Sequence, residues 1–271
     1  MDNIAKIFIN CLIISFLSVF SMQAQPLVIM HTNDTHSQID PYTYKADTNM
    51  GGFLRRDAAI REVREQNPYC LLLDAGDFSQ GTPYFNFYKG YVEVRLMNEM
   101  GYDAATLGNH EFDNGSAALA TRLKTAKFPI VCANYQFSNK KLAKVVKPYV
   151  IVERGGHKIG IFGLGVNLNS YVAPKIAQEV TYLDPVECAR KVVAELQAKQ
   201  CDLIVCLSHL GIDTISTRDN DFELARQVPE IDVIIGGHSH EEFKTPRVVG
   251  ETRICQMTSR GRGMGVLYVD F

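Results

Sequence analysis

The side chains able to bind metal ions fall in five short clusters. Asn33-Asp34-Thr35-His36, Asp74-Ala75-Gly76-Asp77, Gly108-Asn109-His110-Glu111-Phe112-Asp113, Ser208-His209 and Gly236-Gly237-His238-Ser239-His240 together hold five of the seven histidines. Each cluster alone has a bland explanation: Asp77 could cap a helix, Asn109 could occupy a left-handed turn, and His209 could be a satisfied core histidine. Their recurrence makes a purely structural origin for all of them hard to sustain. Asp34, His36, Asp77, Asn109, His209, His238 and His240 give seven oxygen and nitrogen donors and no thiolate. That is too many for one tetrahedral ion and suits two five- or six-coordinate divalent ions sharing a carboxylate, with Zn, Mn, Fe, Co or Ni fitting better than Ca. Two such ions, two carboxylates and a bridging hydroxide leave the crevice net positive. An anionic phosphate ester would be drawn in, and the charge growing in its transition state would be stabilised.

Each cluster follows an apolar run. Residues 27–30, 70–73, 104–107, 203–207 and 233–235 read as buried strands, with a sixth at 129–132. Helical patterns cover 54–64, 91–100, 116–126, 185–199 and 222–227. Strands alternating with helices make a layered α/β domain, and ligands bind such sheets at the carboxyl ends of the strands, so five clusters at five strand ends should converge. Gly76, Gly108 and Gly236-Gly237 stand directly before donors, where the chain must turn and let backbone approach closely. Residues 147–154 and 157–164 flank Gly155-Gly156 as a hairpin. The C-terminal runs 253–257 and 266–271 around the glycine-rich 261–263 repeat that pattern, so an antiparallel part joins the sheet. His31 reads as a strand residue beneath the site and His157 as hairpin surface, while Lys140, Lys141, Lys144 and Lys147 read as a solvated edge.

The 271 residues, 46% hydrophobic and 21% charged, form a globular composition, not a disordered, collagen-like or multi-span one. A net charge of -2 offers no broad basic face, so long nucleic acid is not an expected partner. Residues 7–20 are almost wholly apolar, preceded by Lys6 and followed by Ser21-Met22-Gln23-Ala24. This pattern predicts a signal peptide over residues 1–24, export to a periplasmic or extracellular space, and no integral span after cleavage. Residues 25–271 then fit one domain. Cys132, Cys201 and Cys206 lie in or beside apolar runs without CxxC spacing, which favours free thiols over bridges.

In order along the chain, Thr32-Asn33-Asp34-x-His36, Gly76-Asp77-x-x-Gln80-Gly81, Gly108-Asn109-His110-Glu111-Phe112-Asp113, His209 and Gly237-His238-x-His240 resemble the calcineurin-like metallophosphatases. The fuller strings are similar to the N-terminal catalytic domain of exported 5'-nucleotidases and UDP-sugar hydrolases, over about residues 27–271. The resemblance implies a four-layer α/β/β/α sandwich with mixed sheets and a dinuclear metal site at strand carboxyl ends. It implies one ion on Asp34, His36, Asp77 and His240, and another on Asp77, Asn109, His209 and His238. His110 would lie beside the phosphoryl group as a catalytic residue, oriented by Asp113. The implied reaction is hydrolysis of phosphate monoesters, nucleoside 5'-monophosphates or related nucleotides foremost, by in-line attack of a metal-activated water. Phosphodiester, UDP-sugar or thiosulfate-ester hydrolysis on the same scaffold is the enzymatic alternative, and metal binding without turnover the other. His110 and Asp113, outside the metal shell, are of no use to a mere binder. Members of the family continue into a C-terminal nucleotide-binding domain, which is expected to be absent here. The expectation is therefore either a separately encoded C-terminal 5'-nucleotidase domain as partner, this chain being the catalytic half of a split enzyme, or action alone on small phosphate esters.

Overall fold

The computed structural model describes residues 26–212 and 219–271; the expected signal segment and Cys11 lie outside the described residues. Twelve strands build its two large sheets. In chain order they are β1 (Leu27–Thr32), β2 (Cys70–Asp74), β3 (Ala104–Ala105), β4 (Ile130–Val131), β5 (Val146–Lys147), β6 (Tyr149–Arg154), β7 (His157–Leu164), β8 (Leu203–Ser208), β9 (Val233–Gly236), β10 (Arg247–Val249), β11 (Thr252–Cys255) and β12 (Gly265–Val269). The first sheet has the order β12-β1-β2-β3-β4-β5, parallel except for β12, which pairs antiparallel with β1. The second has the order β10-β11-β9-β8-β7-β6, with a parallel centre and an antiparallel strand at each edge.

Side-chain alternation along these strands creates the layers. Leu27, Ile29, Leu71 and Leu73 of the first sheet pack with Ile159, Ile161, Leu203, Val205, Leu207, Val233 and Ile235 of the second in one buried cluster between the sheets. The alternate residues face outward. Met30, Leu72 and Ile130 join Ile60, Val94, Met97 and Leu119 of the helices Phe53–Gln66, Tyr91–Met100 and Gly115–Leu123. On the far side Phe162, Ile204, Cys206 and Ile234 join Val192, Leu196 and Leu224 of the helices Pro185–Ala198 and Asp221–Gln227. The result is the expected four-layer α/β/β/α sandwich with mixed sheets.

The expected strands and helices are present with shifted ends. The run at 104–107 is a strand only as far as Ala105, and just beyond it the Gly108 N–H is held by Glu111 Oε2 at 2.7 Å. The helix begun near 116 stops at Leu123, and the Thr125 hydroxyl closes its end by donating to the Arg122 carbonyl. The four lysines are exposed, on a short helix Lys140–Val145 capped by Asn139 and on edge strand β5. The six described cysteines are free, as expected from their spacing.

Candidate metal centre

The carboxyl ends of β1, β2, β3, β8 and β9 deliver Asp34 and His36, Asp77, Asn109, His209, and His238 and His240 to one place. Their donor atoms form two groups. Those of Asp34, His36 and His240 lie within 4.8 Å of one another, and so do those of Asp77, His209 and His238. The groups touch, since His209 Nε2 is 3.1 Å from Asp77 Oδ2 and 3.9 Å from Asp34 Oδ1. In the other group His36 Nε2 is 3.0 Å from His240 Nε2, and His240 Nε2 is 3.4 Å from Asp34 Oδ1. Asn109 is buried with its Oδ1 lacking a hydrogen-bond partner, and it sits beside Asp77 because the next N–H, that of His110, donates to Asp77 Oδ1 at 2.8 Å.

The turns that carry these donors are unusual. Asp34, His36, Asp77, His238 and His240 all have left-handed backbone, with φ between 45 and 70. Asp and His tolerate that region better than most residues, but five at one site store strain that the surroundings must hold. Gly76 itself has φ 90, whereas Gly108 has no such angle and is needed for a different reason: a Cβ there would sit 2.1 Å from Asp77 Oδ1. Buried polar partners keep these turns in place. Glu111, 1% exposed, accepts from the N–H groups of Asp77 and Gly108 through Oε2, and from the N–H and hydroxyl of Ser79 through Oε1, tying two donor loops together. Asp74 accepts from the Thr32 hydroxyl and the Gly76 N–H. Asn33 donates to Asp34 Oδ2 and to the Met257 carbonyl, while Gln256 holds the His238–His240 turn through Gly237, Ser239 and Glu241. Glu111 and Asn33 lie inside the sequence clusters, yet their roles are not legible there. Gln256, far from any cluster, carries no sequence signal.

The donor chemistry fits two divalent cations. His209 donates its Nδ1–H to the Ala75 carbonyl at 2.7 Å, which fixes the tautomer and leaves Nε2, buried and without a hydrogen-bond partner, as a lone-pair donor. Burial pulls the His36 and His238 pKa values down to about 4, so both rings are neutral, the form a metal requires. Burial also opposes charge on His209 and Asp77, but each overrides it for the other. The Asp77 and Asp34 carboxylates push His209 up to about 10, and the neighbouring imidazoles hold Asp77 well below the usual carboxylate range.

His110 lies between the groups and belongs to neither. Its ring is 5.5 Å from that of His36, edge-on, and its Nδ1 is 3.0 Å from Asp113 Oδ2. Burial disfavours the cation, but the hydrogen bond to Asp113 and the Asp77 charge outweigh it and hold the His110 pKa above the ordinary histidine value. His31, in β1 as expected, is buried against Gly265 of β12 and enters neither donor group, whereas His157, expected as hairpin surface, is half-buried because its ring stacks 3.5 Å from that of Phe271.

Fold and site together define a phosphoesterase of the two-metal type, and comparison with known proteins agrees. Residues 27–242 match the calcineurin-like phosphoesterase family, and the chain belongs to that family. It is 32% identical over 281 residues to the trifunctional nucleotide phosphoesterase YfkN of Bacillus subtilis, covering 90% of this chain and 18% of that protein. It is 37% identical over 226 residues to a snake venom 5'-nucleotidase of Gloydius brevicauda, covering 79% of this chain and 37% of the other. The crystal structure of a 5'-nucleotidase precursor from Thermus thermophilus superposes with a TM-score of 0.81 at 37% identity, covering 91% of this chain and 51% of that one. The chain thus spans about half or less of each of these relatives.

Proposed function

We propose that this chain is a two-metal phosphohydrolase that releases inorganic phosphate from phosphate monoesters, nucleoside 5'-monophosphates foremost. The observation that carries the reading is the meeting of two three-donor groups at Asp34, Asp77 and His209, with the His110–Asp113 pair beside them and outside the metal shell. A binder that only stored metal would gain nothing from that pair. In this reading Asp34, His36, Asp77 and His240 hold one cation, and Asp77, Asn109, His209 and His238 hold the other, with Asp77 common to both. When bound, the two cations supply Lewis acidity, gripping phosphoryl oxygens and acidifying a water. The chain's own residues do the remainder. Glu111 fixes the loops of Asp77 and Gly108, the Ala75 carbonyl fixes His209, and Asp113 engages His110 Nδ1 so that the opposite ring nitrogen is free for a phosphoryl or leaving-group oxygen. Because its pKa is raised, His110 is more often cationic near neutrality than an ordinary histidine, suited to stabilise transferring charge and to protonate the departing oxygen.

The names of the relatives support nucleotides as the substrate class, and the B. subtilis protein, a trifunctional nucleotide phosphoesterase, supports keeping more than one kind of nucleotide ester in view. Residues 25–271 are read as one metallophosphatase domain, exported after loss of residues 1–24, a reading supported by the N-terminal pattern and by relatives that are snake venom 5'-nucleotidases. Phosphate release from AMP, from a bis-ester and from a sugar nucleotide, with metal present and after chelation, tests the reading. Adding a separately produced C-terminal 5'-nucleotidase domain tests whether a partner reads the base. Chelator-sensitive release from AMP is expected, and no release from any of the three, with or without that domain, would end the proposal.

A further inference from the structure

Arg122, on the helix Gly115–Leu123, is 1% exposed and among the largest fully buried side chains of the described residues. The same helix buries Leu119, Ala120 and Leu123, so an apolar residue would suit its place. Taking a guanidinium out of water often costs more than its pairings return in stability, and a well-packed apolar group commonly serves as well. Burial accordingly lowers the Arg122 pKa, against the charges of Glu111, Glu93 and Asp113, which raise it. Among the described residues, both hydrogen bonds of the guanidinium nevertheless go to backbone carbonyls. Nη2 donates to that of Glu111 at 3.0 Å, and Nη1 to that of Lys89 at 2.9 Å. Gly90 admits the group, since a Cβ there would stand 2.2 Å from Nη1.

The two carbonyls belong to different pieces of the site. Glu111 is the middle of the short 3₁₀ turn His110–Phe112. Phe112 and Asp113 close that turn by donating their N–H groups to the Asn109 and His110 carbonyls, and the His110 and Asp113 side chains then meet at 3.0 Å. Lys89 ends the helix Pro83–Tyr88, which follows the Asp77 loop, in left-handed backbone. The Glu111 carboxylate reaches the other way, to the N–H groups of Asp77 and Gly108, so this residue is held at both ends. A guanidinium presents its donors in one rigid plane, so two carbonyls bound to it are fixed in direction as well as distance; a lysine, a point donor on a flexible stem, does less. Resting on the phosphohydrolase reading above, we infer that Arg122 is a positioning residue for His110. Its guanidinium clamps the His110–Asp113 turn to the end of the helix Pro83–Tyr88 and so sets where the His110 ring stands relative to the phosphoryl group. Arg122 belongs to neither donor group, so metal should be retained without it.

The test measures kcat and KM for AMP, metal content by elemental analysis, and amide hydrogen exchange. It uses the full chain, Arg122→Met, Arg122→Lys, and each of the three combined with His110→Ala. Arg122→Met keeps an unbranched chain but no donors, and should lower kcat about 10–100-fold with KM within about threefold and metal content unchanged. In the His110→Ala background the same change should cost less than about threefold, because the group it aims is already gone. Arg122→Lys, which can reach one carbonyl, should fall between. Equal losses in the two backgrounds, a loss that follows metal content, or a kcat within about threefold of the parent overturns the inference, the first two being what a merely structural residue would give. If Arg122→Met does not fold, Arg122→Lys is judged by the same pair of backgrounds. If the unsubstituted chain releases no phosphate from AMP, the phosphohydrolase reading fails, and the clamp is judged on exchange at the Phe112 and Asp113 N–H groups. Faster exchange there but not in β1 supports it, and unchanged or uniformly faster exchange overturns it.

Discussion

The two donor groups are built to different standards of enclosure. In the group of Asp77, His209 and His238, Asp77 and His209 are 1% and 0% exposed, His209 is pinned by the Ala75 carbonyl, and the Asp77 loop is tied by Glu111 to the loop of Gly108. In the group of Asp34, His36 and His240, the first two are buried but the His240 side chain is 45% exposed, and its ring leans on His36. Folding has therefore enclosed the first cage, whose His238 is partly buried, more fully than the second, whose His240 stands on the solvent side. A cation in the enclosed cage feels its carboxylate at lower effective dielectric and finds its ligands already oriented, so it should be held more tightly than its neighbour.

Substitution of Asp77, the carboxylate proposed to serve both cages, breaks the comparison most severely. Asp77→Ala should lower AMP hydrolysis by about 10³-fold or more and reduce bound metal in both cages, read by elemental analysis. His110→Ala comes next, at about 10²–10⁴-fold, with metal content unchanged because His110 is outside both donor groups. A rate within about threefold of the parent would remove His110 from the chemistry. For the cages themselves, His209→Ala should strip its cation at lower chelator concentration than His240→Ala strips the other from its own. Equal sensitivity would show that enclosure does not govern affinity. Glu111→Gln sharpens the same point from outside the donor set. It leaves a buried amide where four donors converge, and should weaken metal binding about 10–100-fold. Asn33→Ala, on the open side, should do less, because Asp34 keeps the His238 N–H at 2.9 Å.

The layered sandwich and the identity of the donors can be read from sequence for a common reason. Buried strands such as Leu27–Thr32 are continuous apolar runs, and donors placed just after such runs have one crevice to share. What cannot be read depends on contacts between distant segments. Glu111 looks like a surface acid between His110 and Phe112 until the loop of Asp77 folds over it, and Gln256 looks like any strand-end amide until the His238–His240 turn rests on it. Gly108 reads in the sequence as a sharp-turn glycine, and its actual role, making room for Asp77 Oδ1, is a tertiary contact that no local pattern encodes. The short β3 shows the same limit at the level of elements, because just beyond its end the Gly108 N–H is held by a carboxylate three residues further on.

The smallest effect expected lies on the pair that stands between the cages. Asp113 raises the His110 pKa through a hydrogen bond and through its charge, against the pull of burial. Asp113→Asn removes the charge and weakens the hydrogen bond while conserving size, so the His110 pKa must fall. If the cationic ring is the active form, activity is present below the His110 pKa and is lost as pH rises through it, and the alkaline limb of kcat against pH therefore moves to lower pH in the variant. At the acid end, where His110 is protonated in both proteins, the two rates should converge. A metal ligand or a purely structural residue would lower the rate at every pH instead, so an alkaline limb that stays in place with a uniformly reduced plateau would reduce Asp113 to a helix-end residue and leave His110 without its orienting partner.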